Sequence, residues 1–295
     1  MLMTLDRSSY AILILVLLSV VWGSSFILIK KALIAFDPIT VGALRISISS
    51  IAFFPIVLHQ FKDIPWKKWK YFAVVGLTGS GIPAFMYAIA QTQVDSSISG
   101  LLNSLSPIFA LIIGVLFFKI VLTYSKVIGV LLGFLGAGVL FFSGGPSAAG
   151  GNMWYGLFIV IGTMCYGTSV NVVKHYFQET PSLIVSGVSF FLIGPPALLY
   201  LVFSDFKDDM VTHHHAWYSL GSVALLSLVG TVISTIIFFR LVQVSNAVFA
   251  SSVAFTIPIV AIFWGVLDGE QVGWSHFVGM VLILIGVYFI RKDKN

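Results

Sequence analysis

"WGSSFILIK", Trp22–Lys30, lies inside a stretch that otherwise reads as membrane-spanning hydrocarbon, and "YGTSVNVVK", Tyr166–Lys174, repeats its pattern 144 residues later. An aromatic ring, a glycine, hydroxyls and a terminal lysine fall at the same places in both. The correspondence extends further: "SPIFALIIGVLF" (Ser106–Phe117) aligns with "IPIVAIFWGVLD" (Ile257–Asp268), and Gly129 and Gly136 align with Gly279 and Gly286. The chain therefore reads as one unit written twice.

Composition sets the environment. The 295 residues are 58% hydrophobic and 9% charged, with a mean hydropathy of +1.03, against roughly 45–50% apolar residues in soluble domains. A hydrocarbon core about 30 Å thick asks for about 20 apolar residues per helix, whereas a barrel would show short alternating segments. The runs here are long and continuous, so an all-α polytopic membrane protein is expected. The apolar run after Arg7 has a counterpart deep in the chain and is expected to be a retained helix, not a cleaved signal. A single cysteine, Cys165, excludes an intramolecular disulfide and offers no metal or redox pair. The net charge of +5 sits at helix ends and reports orientation, so no nucleic-acid partner is expected.

Charged, Gly and Pro punctuation divides the chain into ten spans, near 10–29, 39–59, 71–91, 97–118, 124–143, 153–173, 182–203, 217–239, 247–267 and 273–290. With the N-terminus cytoplasmic, Arg7, Lys62, Lys67, Lys68, Lys70, Lys119, Lys126, Lys174, Arg240, Arg291, Lys292 and Lys294 face inward, and only Lys30, Lys31 and Lys207 face outward. The positive-inside rule then sets both termini in the cytoplasm, and the inner (plasma) membrane is the expected location. Five spans make each unit, residues 10–143 and 153–290, and an odd number forces the second unit to enter from the opposite face. Two inverted five-helix repeats are the architecture of an alternating-access carrier; a duplicated scaffold without transport is the bland alternative.

The residues carrying a family resemblance are "WGSSF" on the first span, Arg45 within "GALRISISS" on the second, "SPIFALIIGVLFF" closing the fourth, "GFLGAGVLF" in the fifth and "IPIVAIFWGVLDGE" across the ninth. Over nearly its whole length the chain resembles the ten-helix branch of the drug/metabolite transporter superfamily, built from two EamA-type units. The resemblance implies transport of small metabolites, with amino acids or related solutes as the suggested class and export as the expected direction. Family units usually carry a Glu just after their fourth helix. Here Glu270 holds that place in the second unit and Ile120 replaces it in the first.

Polar groups within the spans are the candidate substrate contacts. Trp22, Ser25 and Tyr166 belong to the two matched clusters, and buried indole N–H and phenol O–H groups need partners. Asn103 and Asn171 carry amides that are costly in hydrocarbon unless paired or facing a wet cavity. Tyr87, Ser106, Ser252 and Thr256 complete an uncharged, hydrogen-bonding lining. Helix packing without a ligand is the competing reading of each. Arg45 falls roughly 10 Å inside the outer end of the second span, where an arginine costs about 2.5–3.5 kcal/mol and usually faces a cavity or a partner. It is read as an anion-attracting group, with outward snorkelling to the interface as the alternative. Pro107 and Pro258 occupy equivalent places and are read as hinges.

No Asp or Glu falls near the middle of any span, so facilitated diffusion is expected over proton coupling. Asp95, Asp268 and Glu270 read as outer-surface charges, and His276 as an interfacial structural residue. The run His213–His215 reads as a solvated loop, since three consecutive imidazoles cannot share one face. No metal, cofactor or catalytic motif is found, so no enzymatic activity is expected. Gly129 and Gly133 make a GxxxG step suited to close packing; a monomer is expected, with a homodimer as the alternative that face allows. A small-molecule substrate and the lipid bilayer are the expected partners. A proton-coupled multidrug exporter, or a channel or sensor, is the runner-up function.

Overall fold

The computed structural model describes residues 7–143, 152–244, 250 and 252–292. Among them the regular structure is entirely helical. The first half comprises α1 (Arg7–Ala32), α2 (Pro38–His59), α3 (Trp69–Gly76), α4 (Ile82–Ala90), α5 (Ser96–Asn103), α6 (Ser106–Phe118) and α7 (Tyr124–Ser143). The second comprises α8 (Gly156–Tyr176), α9 (Ser182–Phe203), α10 (Phe206–Thr212), α11 (Ala216–Leu225), α12 (Ser234–Val244), α13 (Ile257–Leu267) and α14 (Trp274–Lys292).

Joined end to end, these elements give seven helical stretches long and apolar enough to cross a membrane, among them Trp66–Ala90, Ser96–Phe118 and Ala216–Val244. The expected spans near 124–143 and 273–290 correspond to α7 and α14, apolar over Tyr124–Leu140 and Trp274–Ile290, and α13, Ile257–Leu267, is the described helical part of the span expected near 247–267. Residues 245–249 and 251, at the start of the expected ninth span, lie outside the described part.

Burial is inverted relative to a soluble protein. Phe117 is 75% and Phe203 81% exposed, whereas Ser49 and Ser227 are fully buried. The apolar exterior suits hydrocarbon, and the hydroxyls turn inward to backbone carbonyls, as when Ser227 Oγ donates to Val223 at 2.7 Å.

The halves interleave. The most extensive packings, α7 with α14, α2 with α9, α6 with α8 and α5 with α13, all run between the first half and the second. Small residues permit the closest of these. A Cβ on Gly136 would lie 2.7 Å from the Gly279 carbonyl oxygen, and one on Gly286 would lie 2.5 Å from that of Gly129. Gly133 faces the Ile108 side chain. The glycine face that suggested a dimer is therefore spent on contacts within the chain.

Glu270 and Asp268 differ from their expected role as surface charges. The turn after α13 passes through Gly269 at φ 83°, matching the turn after α6, where Lys119 takes φ 57°. Each turn returns a backbone N–H to its helix: Glu270 to Gly265 at 2.9 Å and Ile120 to Gly114 at 3.1 Å. The return folds the Glu270 side chain inward onto the start of α5. Its carboxylate accepts from the backbone N–H groups of Ser96 at 3.0 Å and Ser97 at 2.9 Å, and from Ser96 Oγ at 2.7 Å. Lys30 Nζ closes the cluster, 2.7 Å from Glu270 and 2.8 Å from Asp268, and Lys31 pairs with Asp268. Sequence alone left Glu270 outside because its partners come from α1 and α5, far away along the chain. His276 is buried, and its Nδ1 accepts from the Gly273 N–H at 3.1 Å; His213, His214 and His215 are exposed between α10 and α11.

Two stability measurements check this packing. Gly136→Ala should lower thermal unfolding in detergent by the equivalent of about 1–3 kcal/mol, the usual cost of overpacking. Gly138→Ala, where an added Cβ meets nothing within 4 Å, should leave it unchanged. For Glu270, burial would raise the carboxyl, but hydrogen bonds from Lys30, Ser96 and Ser97 outweigh it and hold the group below its ordinary value. A carboxylate depressed in the folded state stabilises above the ordinary carboxylate range and ceases to do so as pH falls through its folded value. Glu270→Gln should therefore cost about 1.5–3 kcal/mol at neutral pH and flatten the acid limb of a thermal-stability profile.

Candidate functional site

Four helix interruptions surround one cavity. Between α3 and α4 the chain widens into a π-helical stretch, Leu77–Gly81, and between α11 and α12 into a second, Leu226–Ile233. In the first the Ile82 N–H reaches back five residues to Leu77; in the second Ser234 reaches Val229. Such widened turns shift backbone groups out of the ordinary α register, and in apolar surroundings those groups need a partner inside the protein. One is supplied: Trp22 Nε1 donates to the Gly230 carbonyl at 2.9 Å. The other two interruptions precede Pro107 and Pro258. Each proline lies in the first turn of its helix, α6 or α13, where a missing N–H costs no hydrogen bond. The chain is thus broken ahead of these residues and not kinked at them.

The cavity encloses about 110 Å³ of water-accessible space, ample beside the roughly 10–15 Å³ that one water needs. Trp22, Ser25, Arg45, Tyr87, Asn103, Ser106 and Tyr166 all border it. Tyr87 Oη donates to Asn103 Oδ1 at 2.6 Å, and Ser106 Oγ donates to the Asn103 carbonyl at 2.7 Å. Arg45 Nε donates to Thr231 Oγ1 at 3.1 Å, and its guanidinium also reaches the Tyr166 hydroxyl. Arg45 is therefore turned into the bundle, not out along its surface.

Three candidates fall elsewhere. Asn171 is buried away from the cavity, and its Nδ2 donates to the Ala110 and Gly167 carbonyls, both at 2.8 Å. That amide ties α8 to α6 and meets its hydrogen-bonding demand within the protein. Thr256 is exposed outside the cavity and bonds Ser19 Oγ. Ser252 opens a short 3-10 turn, Ser252–Phe255, and its side chain lies outside the described residues.

Sequence reasoning missed much of the remaining lining: Phe26, Gly79, Ser80, Ser169, Gly230, Thr231, Phe238, Ala254 and Ile257. A signal for them was available. Carried back along the chain without a gap, the register of Ser106 on Ile257 sets "LTGSG" (Leu77–Gly81) against "LVGTV" (Leu228–Val232). Lining residues then fall into equivalent pairs: Trp22 with Tyr166, Ser25 with Ser169, Gly79 with Gly230, Ser80 with Thr231, and Tyr87 with Phe238. The contacts pair in the same way. A Cβ on Gly79 would lie 2.7 Å from Ser169 Oγ, and one on Gly230 would lie 3.1 Å from Ser25 Oγ.

Arg45 is the sole ionisable residue of ordinary charge in this lining among the described residues, which include no Asp, Glu, Lys or His there. Its Nε bond goes to a neutral hydroxyl. The Asn103 NH2, whose amide oxygen is taken by Tyr87, and the buried Ser169 hydroxyl have no hydrogen-bond partner among the described residues. The walls can thus desolvate a small solute, stack on its flat or apolar parts and offer it N–H donors.

Comparison with known proteins gives this arrangement its setting. The sequence pattern of the EamA-like transporter family matches residues 9–142 and again residues 153–292. An uncharacterized transporter of Archaeoglobus fulgidus is 24% identical over 96% of this chain and 99% of its own. The uncharacterized inner membrane transporter YedA of Escherichia coli K12 is 22% identical over 94% and 89%. An S-adenosylmethionine/S-adenosylhomocysteine transporter of Chlamydia muridarum is 22% identical over 96% and 92%. A crystal structure 18% identical in sequence matches with a TM-score of 0.65, covering 97% of this chain and 98% of that one, which is a likeness of fold.

The different placements of Tyr87 and Asn171 can be separated by mutation. Asn171→Leu should destabilise by about 1–2 kcal/mol, the cost of an unpaired buried carbonyl, and leave solute affinity unchanged. Tyr87→Phe should destabilise to a similar degree and also change affinity, because it frees the amide oxygen of Asn103 at the cavity wall. Thermal unfolding and equilibrium binding on the same detergent samples check both.

Proposed function

We propose that this chain, which belongs to the EamA-like transporter family, is an alternating-access carrier that moves small metabolites across the plasma membrane by facilitated diffusion, with export as its working direction. The observation that carries this reading is the pairing of the cavity lining. Equivalent positions of the two halves meet across one space, as they would around a two-fold axis lying in the membrane plane. A site on such an axis can be exposed to either side by exchanging the conformations of the two halves.

In this reading the Lys30, Asp268 and Glu270 cluster closes the outer end, because it draws together α1, α5 and the turn after α13. Ile120 stands at the equivalent place toward the inner end and can form no such ion pair. Both termini are cytoplasmic. Pro107 and Pro258, each just beyond a helix break, mark the points about which the halves rock. Facilitated movement is favoured because no carboxylate borders the cavity among the described residues and Glu270 is already spent on Lys30 and the start of α5. The solutes are small metabolites related to amino acids, contacted by Trp22, Ser25, Arg45, Tyr87, Asn103, Ser106 and Tyr166.

Counterflow in proteoliposomes tests the mechanism. Unlabelled solute trapped inside should accelerate entry of the labelled solute, and an imposed proton gradient should leave the final distribution unchanged. Entry indifferent to trapped solute would indicate a pore, and accumulation driven by the gradient would indicate proton coupling; either result would overturn the proposal.

A further inference from the structure

The paired lining is alike in one region and unlike in another. Near the π-helical stretches the pairs match: Gly79 with Gly230, Ser80 with Thr231, and Ser25 with Ser169. On the wall built by α4, α5 and α6 against α12 and α13 they do not. Tyr87, Asn103 and Ser106 of the first half correspond to Phe238, Ala254 and Ile257 of the second, and all six border the cavity. Each position that is polar in one half is apolar in the other. Arg45 adds a cation to the first half's contribution.

We infer that the cavity selects organic anions with a single carboxylate, an apolar or aromatic body and no ammonium group, held with the carboxylate at Arg45 and the body against Phe238, Ala254 and Ile257. This deepens the carrier reading and rests on it for the identity of the site. The charge balance comes first. A guanidinium in a partly dehydrated cavity with no carboxylate partner is held at a cost that an incoming carboxylate relieves, and the planar donor fork suits that group well.

The hydrogen-bonding inventory points the same way. The Tyr87 and Ser106 hydroxyl protons are spent within the protein, as is the Trp22 N–H. What remains is weighted toward donors: the remaining guanidinium N–H groups and the Asn103 NH2, beside the Ser169 hydroxyl, which can donate or accept. An ammonium would enter a site with a like charge and no carboxylate among its described lining. The 2-oxo and 2-hydroxy acids related to apolar amino acids keep the carboxylate but carry no ammonium and so avoid that penalty, and the Asn103 NH2 can serve their extra oxygen. The apolar wall rewards the body through buried area, at about 25 cal/mol per Å².

A ligand series on one skeleton tests the inference: 3-phenylpropanoate, phenylalanine, 3-phenylpropylamine and the neutral 3-phenylpropanol. Equilibrium binding to the full-length protein in detergent, by calorimetry or thermal shift, should rank 3-phenylpropanoate at least tenfold tighter than phenylalanine, with the amine weakest. Arg45→Gln should remove at least tenfold of the affinity for 3-phenylpropanoate and leave 3-phenylpropanol unchanged, and Arg45→Lys should restore part of it. Phe238→Ala should weaken 3-phenylpropanoate more than it weakens propanoate. Phenylalanine or the amine binding as tightly as 3-phenylpropanoate would overturn the inference, and so would an Arg45→Gln protein that keeps the wild-type order. The wild-type ranking decides the matter even if the variants fail to fold. Because binding is read without transport, the predicted order together with absent counterflow would remove the carrier and leave the solute class standing.

Discussion

A backbone carbonyl displaced from its helix must find a donor inside the protein, because hydrocarbon offers none. That constraint decides where this bundle can be broken. The interruptions at Leu77–Gly81 and Leu226–Ile233 contribute Gly79, Ser80, Gly230 and Thr231 to one internal space. The Trp22 indole spans the gap to the Gly230 carbonyl. The cavity and the breaks therefore explain each other: irregular backbone is tolerable because it borders a space that contains hydrogen-bonding groups, and the space exists because the helices there do not pack as regular cylinders.

Charge within the bundle is handled in two ways. Lys30 meets Asp268 and Glu270, and Glu270 also satisfies the first N–H groups of α5. That cluster is balanced by the protein itself, and its stabilising contribution depends on the carboxylates staying ionised. Arg45 is different. Its guanidinium bonds the Thr231 hydroxyl, which helps to orient it without neutralising it. The contrast resolves a residue that depth alone leaves ambiguous between a cavity group and an anchor: Arg45 borders the cavity.

Much of this was legible in the sequence because hydrophobic length and internal repetition are strong, local signals. The apolar windows located the helices, and the polar residues inside them that reach the cavity, such as Asn103 and Tyr87, were visible as costly exceptions. The failures share one cause. Glu270 looked like a surface charge because its partners, Lys30 and Ser96, lie in other helices, and Asn171 looked like a ligand group because the Ala110 carbonyl that receives its N–H is invisible in a string of letters. A polar residue in a span announces that it needs a partner. It does not announce whether the partner is backbone, another side chain or a solute. The π-helical stretches were missed for a related reason: "LTGSG" and "LVGTV" become conspicuous only when set against each other.

Where the two halves have stayed alike and where they have diverged follows the same physics. The glycines and hydroxyls beside the breaks are matched because both halves face one geometric requirement, a close approach between a widened turn and a neighbouring helix; the near contacts of Gly79 with Ser169 and of Gly230 with Ser25 are two solutions to it. Tyr87, Asn103 and Ser106 carry no such obligation, since Phe238, Ala254 and Ile257 hold the equivalent positions in a helix pair of the same construction. Backbone geometry therefore does not require polarity at these positions. What distinguishes them is the chemistry they present to the cavity, so a molecule bound there meets unlike groups from the two halves and has reason to lie one way round.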